Sequence, residues 1–255
     1  MPSHADLRFC AYGDSHLGSL KLALSGDLVD PGAVDVEFWG ADGPLFRDIH
    51  EVDGVMRPTT REARARVLMI NGAGRDWVGP DDFDVFLFFG ARLRTHDLFH
   101  VILGFMAEET GFLSRGALER VIDRWLMACR SYRTARKFAE SGVSRVMFAP
   151  ASFLSDGLEA THRKMQEIES GLSEERAAWI WSGIESAMAR DGVELIEQPA
   201  RTRAGPCMTR AEFACDNAVA LKDPVHKNAA YGAIIWNRVF ARLEREAERL
   251  GAAAE

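Results

Sequence analysis

Two short stretches near opposite ends of the chain hold the residue types of a nucleophile and its proton-transfer partners. Phe9–Ser19 reads FCAYGDSHLGS: an apolar run stops at Tyr12, Gly13-Asp14-Ser15 follows, and a helical pattern begins. A serine between the carboxyl end of a strand and the start of a helix stands where α/β sheets bind ligands. The free N–H groups and dipole of that helix favour developing negative charge. Near the other end, residues 221–232 read LKDPVHKNAAYG, with Asp223 and His226 three positions apart. At that spacing the carboxylate can accept from the imidazole Nδ1–H and hold the other ring nitrogen toward a hydroxyl. Together, Ser15, His226 and Asp223 spell nucleophilic acyl transfer. Each stretch alone has a plainer reading. Ser15 or Asp14 is then a helix N-cap, and Asp223 caps the last helix with Pro224 at its first position, leaving His226 on the surface.

The elements between must bring these ends together. Five short runs, Leu7–Tyr12, Val34–Trp39, Asp84–Phe89, Ser144–Ala149 and Val193–Ile196, are apolar and rich in β-branched or aromatic residues. Such runs, bounded by Gly, Pro or Asp, predict strands, and their near-continuous hydrophobicity predicts cover on both faces. Helical stretches are expected over residues 16–26, 97–110 and 116–140, over 157–191 as two helices broken near Gly171, and over 228–250. In the last, Tyr231, Ile234, Ile235, Val239 and Leu243 fall at helical spacing. Alternating strands and helices predict an α/β fold, a three-layer α/β/α sandwich around a mostly parallel five-stranded sheet. Residues 48–79 interrupt the alternation. Their Val-Asp-Gly-Val turn signal predicts a β-hairpin insertion between the second and third main strands. No Pro- or Gly/Ser-rich linker divides the chain, so residues 1–255 are expected to form a single domain.

With the order of these elements, Gly13-Asp14-Ser15 with Gly18 and Asp223-Pro224-Val225-His226 resemble the GDS and DxxH blocks of the SGNH/GDSL hydrolase family. The resemblance spans nearly the whole chain, though its diagnostic blocks lie only at the two ends. It implies a flavodoxin-like strand order, with Ser15 as nucleophile, His226 as base and Asp223 as its orienting acid. It also implies two middle blocks that supply oxyanion donors. Gly40, in EFWGADG, fits the first with its backbone N–H. Gly90, in FFGARLR, fits the second, but Arg92 stands where the family has asparagine. Arg92 can donate charged hydrogen bonds to an oxyanion, or bind a substrate carboxylate or phosphate. Asn71, in MINGAGRD, is either a substitute donor or a plain turn residue. The implied activity is an ester hydrolase acting on a small-molecule or saccharide ester, without metal or organic cofactor. An acyltransferase for a saccharide precursor, or a non-catalytic binding module on the same fold, would carry the same blocks.

Composition narrows the remaining classes. The net charge is −7, from 31 Lys+Arg against 38 Asp+Glu, a poor footprint for nucleic acid. With 47% hydrophobic residues a full core can form. Cys10, Cys129, Cys207 and Cys215 form no CxxC pair and match no zinc spacing, so they read as reduced thiols. The N-terminus has neither a basic region nor a long apolar stretch, and no segment is long enough to span a bilayer. No membrane partner and a cytoplasmic location are the resulting expectations. Neither His16 nor the His96–Asp97–His100 group shows a ligand pattern. His16 reads as rim or packing, and the others as capping and surface residues. Trp39, Trp77 and Phe46 read as pocket lining or core.

Overall fold

All five apolar runs become strands of one parallel sheet in the computed structural model, which describes residues 7–106, 113–158 and 172–252. In chain order, the elements begin with β1 (Leu7–Gly13), α1 (Leu17–Ser25) and β2 (Val34–Gly40), followed by a 3-10 turn over Gly43–Asp48. Then come β3 (Ile49–Val52), β4 (Val55–Pro58), α2 (Arg61–Asn71), β5 (Val85–Arg94), α3 (Thr95–Met106), α4 (Arg115–Ala128), α5 (Arg130–Ser141) and β6 (Arg145–Ala151). The chain closes with α6 (Glu174–Arg190), β7 (Glu194–Leu195), a small hairpin of β8 (Arg203–Ala204) and β9 (Met208–Thr209), α7 (Ala218–Leu221) and α8 (Ala229–Ala252). The sheet order is β2-β1-β5-β6-β7. Counting only the main strands this is 2-1-3-4-5, the flavodoxin-like winding. Every pairing in this sheet is parallel.

The period-2 alternation of the strands divides the core into two. Phe9, Ala11, Leu87 and Phe89 face a cluster with Leu17 and Leu20 of α1 and Ile235, Trp236 and Val239 of α8. Cys10, Tyr12, Phe86 and Phe88 face the opposite cluster, built from α3 to α6 and the insertion. Helices therefore cover both faces, as continuous apolar strands require.

The α1–α8 contact positions the site, because α1 follows Ser15 and α8 follows His226. Trp236 is fully buried and its indole N–H donates to the Leu20 carbonyl at 3.0 Å. A Cβ on Gly232 would lie 2.1 Å from the Ser19 carbonyl oxygen, so only glycine lets the two helices approach this closely.

The structure redraws some boundaries. The helix expected over 116–140 is two, parted at Cys129, whose backbone is extended (φ −83°, ψ 117°). The insertion contains the expected hairpin, turned by Asp53 and Gly54 at positive φ, and also a helix. That helix, α2, is started by the Thr60 side chain accepting from Ala63 N–H and ended by Gly72 in the left-handed region. Of the two helices expected over 157–191, the second begins where Ser173 caps it, and the first lies outside the described residues. Among the described residues, no helix is long and apolar enough to cross a membrane.

Candidate active site

Ser15 emerges from the carboxyl end of β1, and α1 begins two residues later. The N-cap of α1 is His16, with no side-chain cap, so the capping reading of Ser15 does not hold. Its Oγ lies 2.7 Å from His226 Nε2, and His226 Nδ1 lies 2.6 Å from Asp223 Oδ2. A carboxylate can only accept, so the ring proton sits on Nδ1, and Nε2 accepts from the Ser15 hydroxyl. That is the geometry of a general base on a nucleophile.

Asp223 is held by its own turn. Its Oδ1 accepts from the Val225 and His226 backbone N–H groups at 2.9 and 3.1 Å. The cap of α8 is instead Asn228, whose Oδ1 accepts from Tyr231 N–H at 3.1 Å. Burial pushes the Asp223 carboxyl up, but the hydrogen bonds from His226 and Val225 outweigh it and bring it down to about 2. It is therefore ionised wherever His226 could serve as a base.

The loop bearing this pair is pinned from several directions. Ser155 N–H donates to the Pro224 carbonyl at 2.8 Å and Cys215 N–H to the His226 carbonyl at 3.0 Å. Asn228 Nδ2 reaches the Glu212 carbonyl at 2.7 Å. Lys227, only 6% exposed, donates to the Pro224 and Val225 carbonyls at 3.0 and 2.8 Å. Burial lowers its ammonium to about 7, against the opposing pull of Asp223 and Cys215. Sequence reading passed over Lys227. No spacing signal marks a lysine that holds a loop only because its neighbours bury it.

A second Asp–His pair stands beside the serine. His16 Nδ1 lies 2.6 Å from Asp14 Oδ1, with side chains only 10% and 7% exposed. The His16 ring centroid is 5.5 Å from that of His226, and its buried Nε2 has no partner. His16 is therefore packed inside and not on a rim. Burial works against the Asp14 carboxylate, but His16, with Arg92 behind it, outweighs this and holds the carboxyl below its usual range.

The remaining sequence candidates separate. Gly40 ends β2, in register with Gly13. Gly90 has φ +65°, and a Cβ there would lie 2.6 Å from the His16 ring, so its glycine makes room for that ring. Ala91 and Arg92 continue in the left-handed region at φ 43° and 62°, a sequence of turns that non-glycine residues adopt only at a cost of about 1–3 kcal/mol each. Arg92 N–H donates to Asp14 Oδ2 at 3.2 Å, and its Nη2 donates to the Gly43 carbonyl. Asn71 donates from Nδ2 to Glu37 Oε1 at 2.7 Å and the Phe38 carbonyl at 3.2 Å. It braces β2 against the end of α2 and has no amide hydrogen left for an oxyanion. Trp39 and Phe46 are fully buried around Tyr12, while Trp77 is 38% exposed. All four cysteines are free. Among the described residues, no three His, Cys, Asp or Glu side chains converge as a metal would require.

The α/β fold, with the GDS and DxxH blocks meeting at one end of the sheet, is the arrangement that the SGNH/GDSL resemblance implies. No family model and no curated protein matches the chain. Among solved structures it is similar in outline to the periplasmic domain of a Salmonella ser. Paratyphi A lipopolysaccharide acetyltransferase (13% identity, 94% of this chain and 85% of that one, TM-score 0.43). It is likewise similar to the lipase Lip_vut3 from a goat rumen metagenome (13% identity, 92% and 97% covered, TM-score 0.43). A third match is an extracellular lipase from Streptomyces rimosus (10% identity, 91% and 99% covered, TM-score 0.45). Likeness at this level leaves the chemistry to be judged from the site's own geometry.

Proposed function

We propose that the chain is a serine ester hydrolase of the SGNH/GDSL type, a single domain acting in the cytoplasm on a small-molecule or saccharide ester. The observation that carries this reading is the unbroken run of short contacts from Ser15 Oγ through His226 to Asp223, at 2.7 and 2.6 Å.

His226 Nε2 takes the Ser15 proton as Oγ attacks the ester carbonyl. The tetrahedral oxyanion is met by the Ser15 and Gly40 backbone N–H groups. His226 then protonates the leaving alcohol, and the acyl group stays on Ser15. In the second half His226 takes a proton from water, the hydroxide attacks the acyl-enzyme, and the carboxylic acid leaves with Ser15 reprotonated. Asp223 fixes the tautomer and stabilises the imidazolium throughout. The serine's place at the start of α1 adds the positive end of a helix dipole where negative charge develops.

Turnover of para-nitrophenyl acetate, with and without saccharide acceptors, tests this directly. Ser15-dependent release of acetate is the expected result. Acyl transfer to the added sugar at the expense of acetate would make the protein a transferase on the same triad. A folded wild type whose turnover equals that of Ser15→Ala would overturn the catalytic reading.

A further inference from the structure

Most arginines with a close partner are neutralised by a carboxylate. Arg8 pairs with Asp84, Arg66 with Asp42, Arg75 with Glu37 and Arg145 with Glu194. Arg47, Arg92, Arg94 and Arg130 are among the arginines that have no ion pair within the described residues. What sets them apart is that Arg47, Arg94 and Arg130 lie near enough for their charges to act on Arg92. Arg47 belongs to the Gly43–Asp48 turn that follows β2. Arg92 donates to the Gly43 carbonyl of that turn. Arg130, at the start of α5, donates from Nη2 to the Phe46 and Arg47 carbonyls at 3.1 and 2.9 Å, while its Nη1 lies 3.4 Å from His50 Nδ1. Arg94 follows Arg92 by two residues and is exposed.

The backbone is built to hold them there. The Gly90–Arg92 segment keeps three successive positive φ angles, fixed by Asp14 through the Arg92 N–H. Cys129, just before Arg130, lies 3.6 Å from the Ala91 carbonyl. The Arg92 Nε is buried without a partner. Burial weighs against the Arg92 cation, and although Asp14 opposes this, Arg47, Arg94 and Arg130 add like-charge repulsion. Arg92 and Arg130 brace the Gly43–Asp48 turn, yet that bracing leaves the positive charges of Arg47 and Arg94 beside Arg92 uncompensated in a chain of net charge −7. Arg92 stands next to the serine's turn: its N–H donates to Asp14, the residue before Ser15, while its guanidinium reaches the Gly43 carbonyl of the turn after β2.

We propose that Arg47, Arg92, Arg94 and Arg130 bind a phosphate or diphosphate group carried by the substrate whose ester Ser15 attacks. A monoanionic carboxylate is satisfied by one forked guanidinium. A phosphoryl group offers several oxygens and a charge near two, which matches a cluster. This inference names the substrate class of the hydrolase reading and rests on it.

The test uses the full chain at constant ionic strength, with inorganic pyrophosphate, inorganic phosphate and acetate as probes. Arg47→Glu and Arg94→Glu are the informative variants, because both side chains are exposed. Arg115→Glu, on the distant α4, is the charge control. Pyrophosphate and phosphate are expected to raise the melting temperature and to compete with para-nitrophenyl acetate. Each cluster variant should weaken that binding about tenfold or more, Arg115→Glu should leave it unchanged, and acetate should have no effect. Equal pyrophosphate binding in wild type and both cluster variants, or none in wild type, would overturn the inference. Fluorophosphonate labelling of Ser15 in the same samples reads the hydrolase reading separately. Labelling without anion binding removes only the phosphate site, and anion binding without labelling removes only the hydrolase.

Discussion

Two Asp–His pairs flank Ser15, and their inner hydrogen bonds are the same length. Asp14–His16 and Asp223–His226 each place a carboxylate oxygen 2.6 Å from Nδ1. They differ in what the outer nitrogen meets. His226 Nε2 faces the serine hydroxyl, and its side chain is 38% exposed, so substrate and solvent protons can reach it. His16 Nε2 is buried with no partner, its ring lies against Gly90, and its carboxylate also holds the Arg92 backbone. The same pair of residue types is thus placed to act as a base where the second nitrogen is accessible and as a strut where it is enclosed. A short Asp–His contact is by itself no sign of catalysis.

Substitutions should separate the two pairs. His226→Ala is expected to lower kcat by a factor on the order of 10^5–10^6 with the melting temperature nearly unchanged. His16→Ala should instead cost stability and at most about a hundredfold in kcat, by loosening the turn that its ring supports. Equal kinetic losses in the two, both folded, would erase the distinction. Asp223→Asn should cut kcat about 10^3- to 10^4-fold with little change in KM. Asp14→Asn should show mainly in denaturant unfolding, at about 1–3 kcal/mol, the cost of weakening the buried hydrogen bonds that the carboxylate accepts. A third contrast concerns the helices behind the pairs. Gly232→Ala should destabilise by about 1–3 kcal/mol through overpacking and lower kcat, because the added methyl parts α1 from α8 and so His226 from Ser15.

A fourth contrast is a pH dependence at the foot of the His226 loop. Lys227 has a folded value of about 7, below its usual 10.5. The unfolded chain therefore binds more protons between those values, and stability rises with pH across that window as the buried charge is relieved. Lys227→Met removes the charge at every pH. Its melting temperature relative to wild type should be most favourable below pH 7 and lose that advantage toward pH 10, while kcat falls because two loop carbonyls lose their donor. A pH-independent difference would remove the buried charge from the account.

Much of this was legible in the residues. The strands announced themselves because both faces of each are covered, so hydrophobicity ran nearly continuously through VFLFF and VMFA. Ser15, Asp223 and His226 were legible as two local motifs, since a strand–turn–helix junction and an i, i+3 pair need no knowledge of the rest. Their contact followed only from the family resemblance; the packing that makes it, Gly232 and Trp236 docking α8 on α1, has no local sequence signal. Asn71 and His16 show the limit. Asn71 has the right type for an oxyanion donor, but Glu37 and Phe38 occupy its amide. His16 could be read only as rim or packing because nothing local reveals that Gly90 leaves a slot for its ring. The break at Cys129 was hidden as well, since the flanking residues are good helix formers and the extended backbone is a tertiary choice.

Labelling with a fluorophosphonate followed by peptide mass mapping tests the central claim most directly, because it needs no knowledge of the substrate. The expected adduct sits on Ser15, is absent in Ser15→Ala, is lost or strongly slowed in His226→Ala, and persists in His16→Ala. A folded wild type that takes no label, or an adduct that forms as fast without His226 as with it, would contradict the assignment of Ser15 and His226 as nucleophile and base.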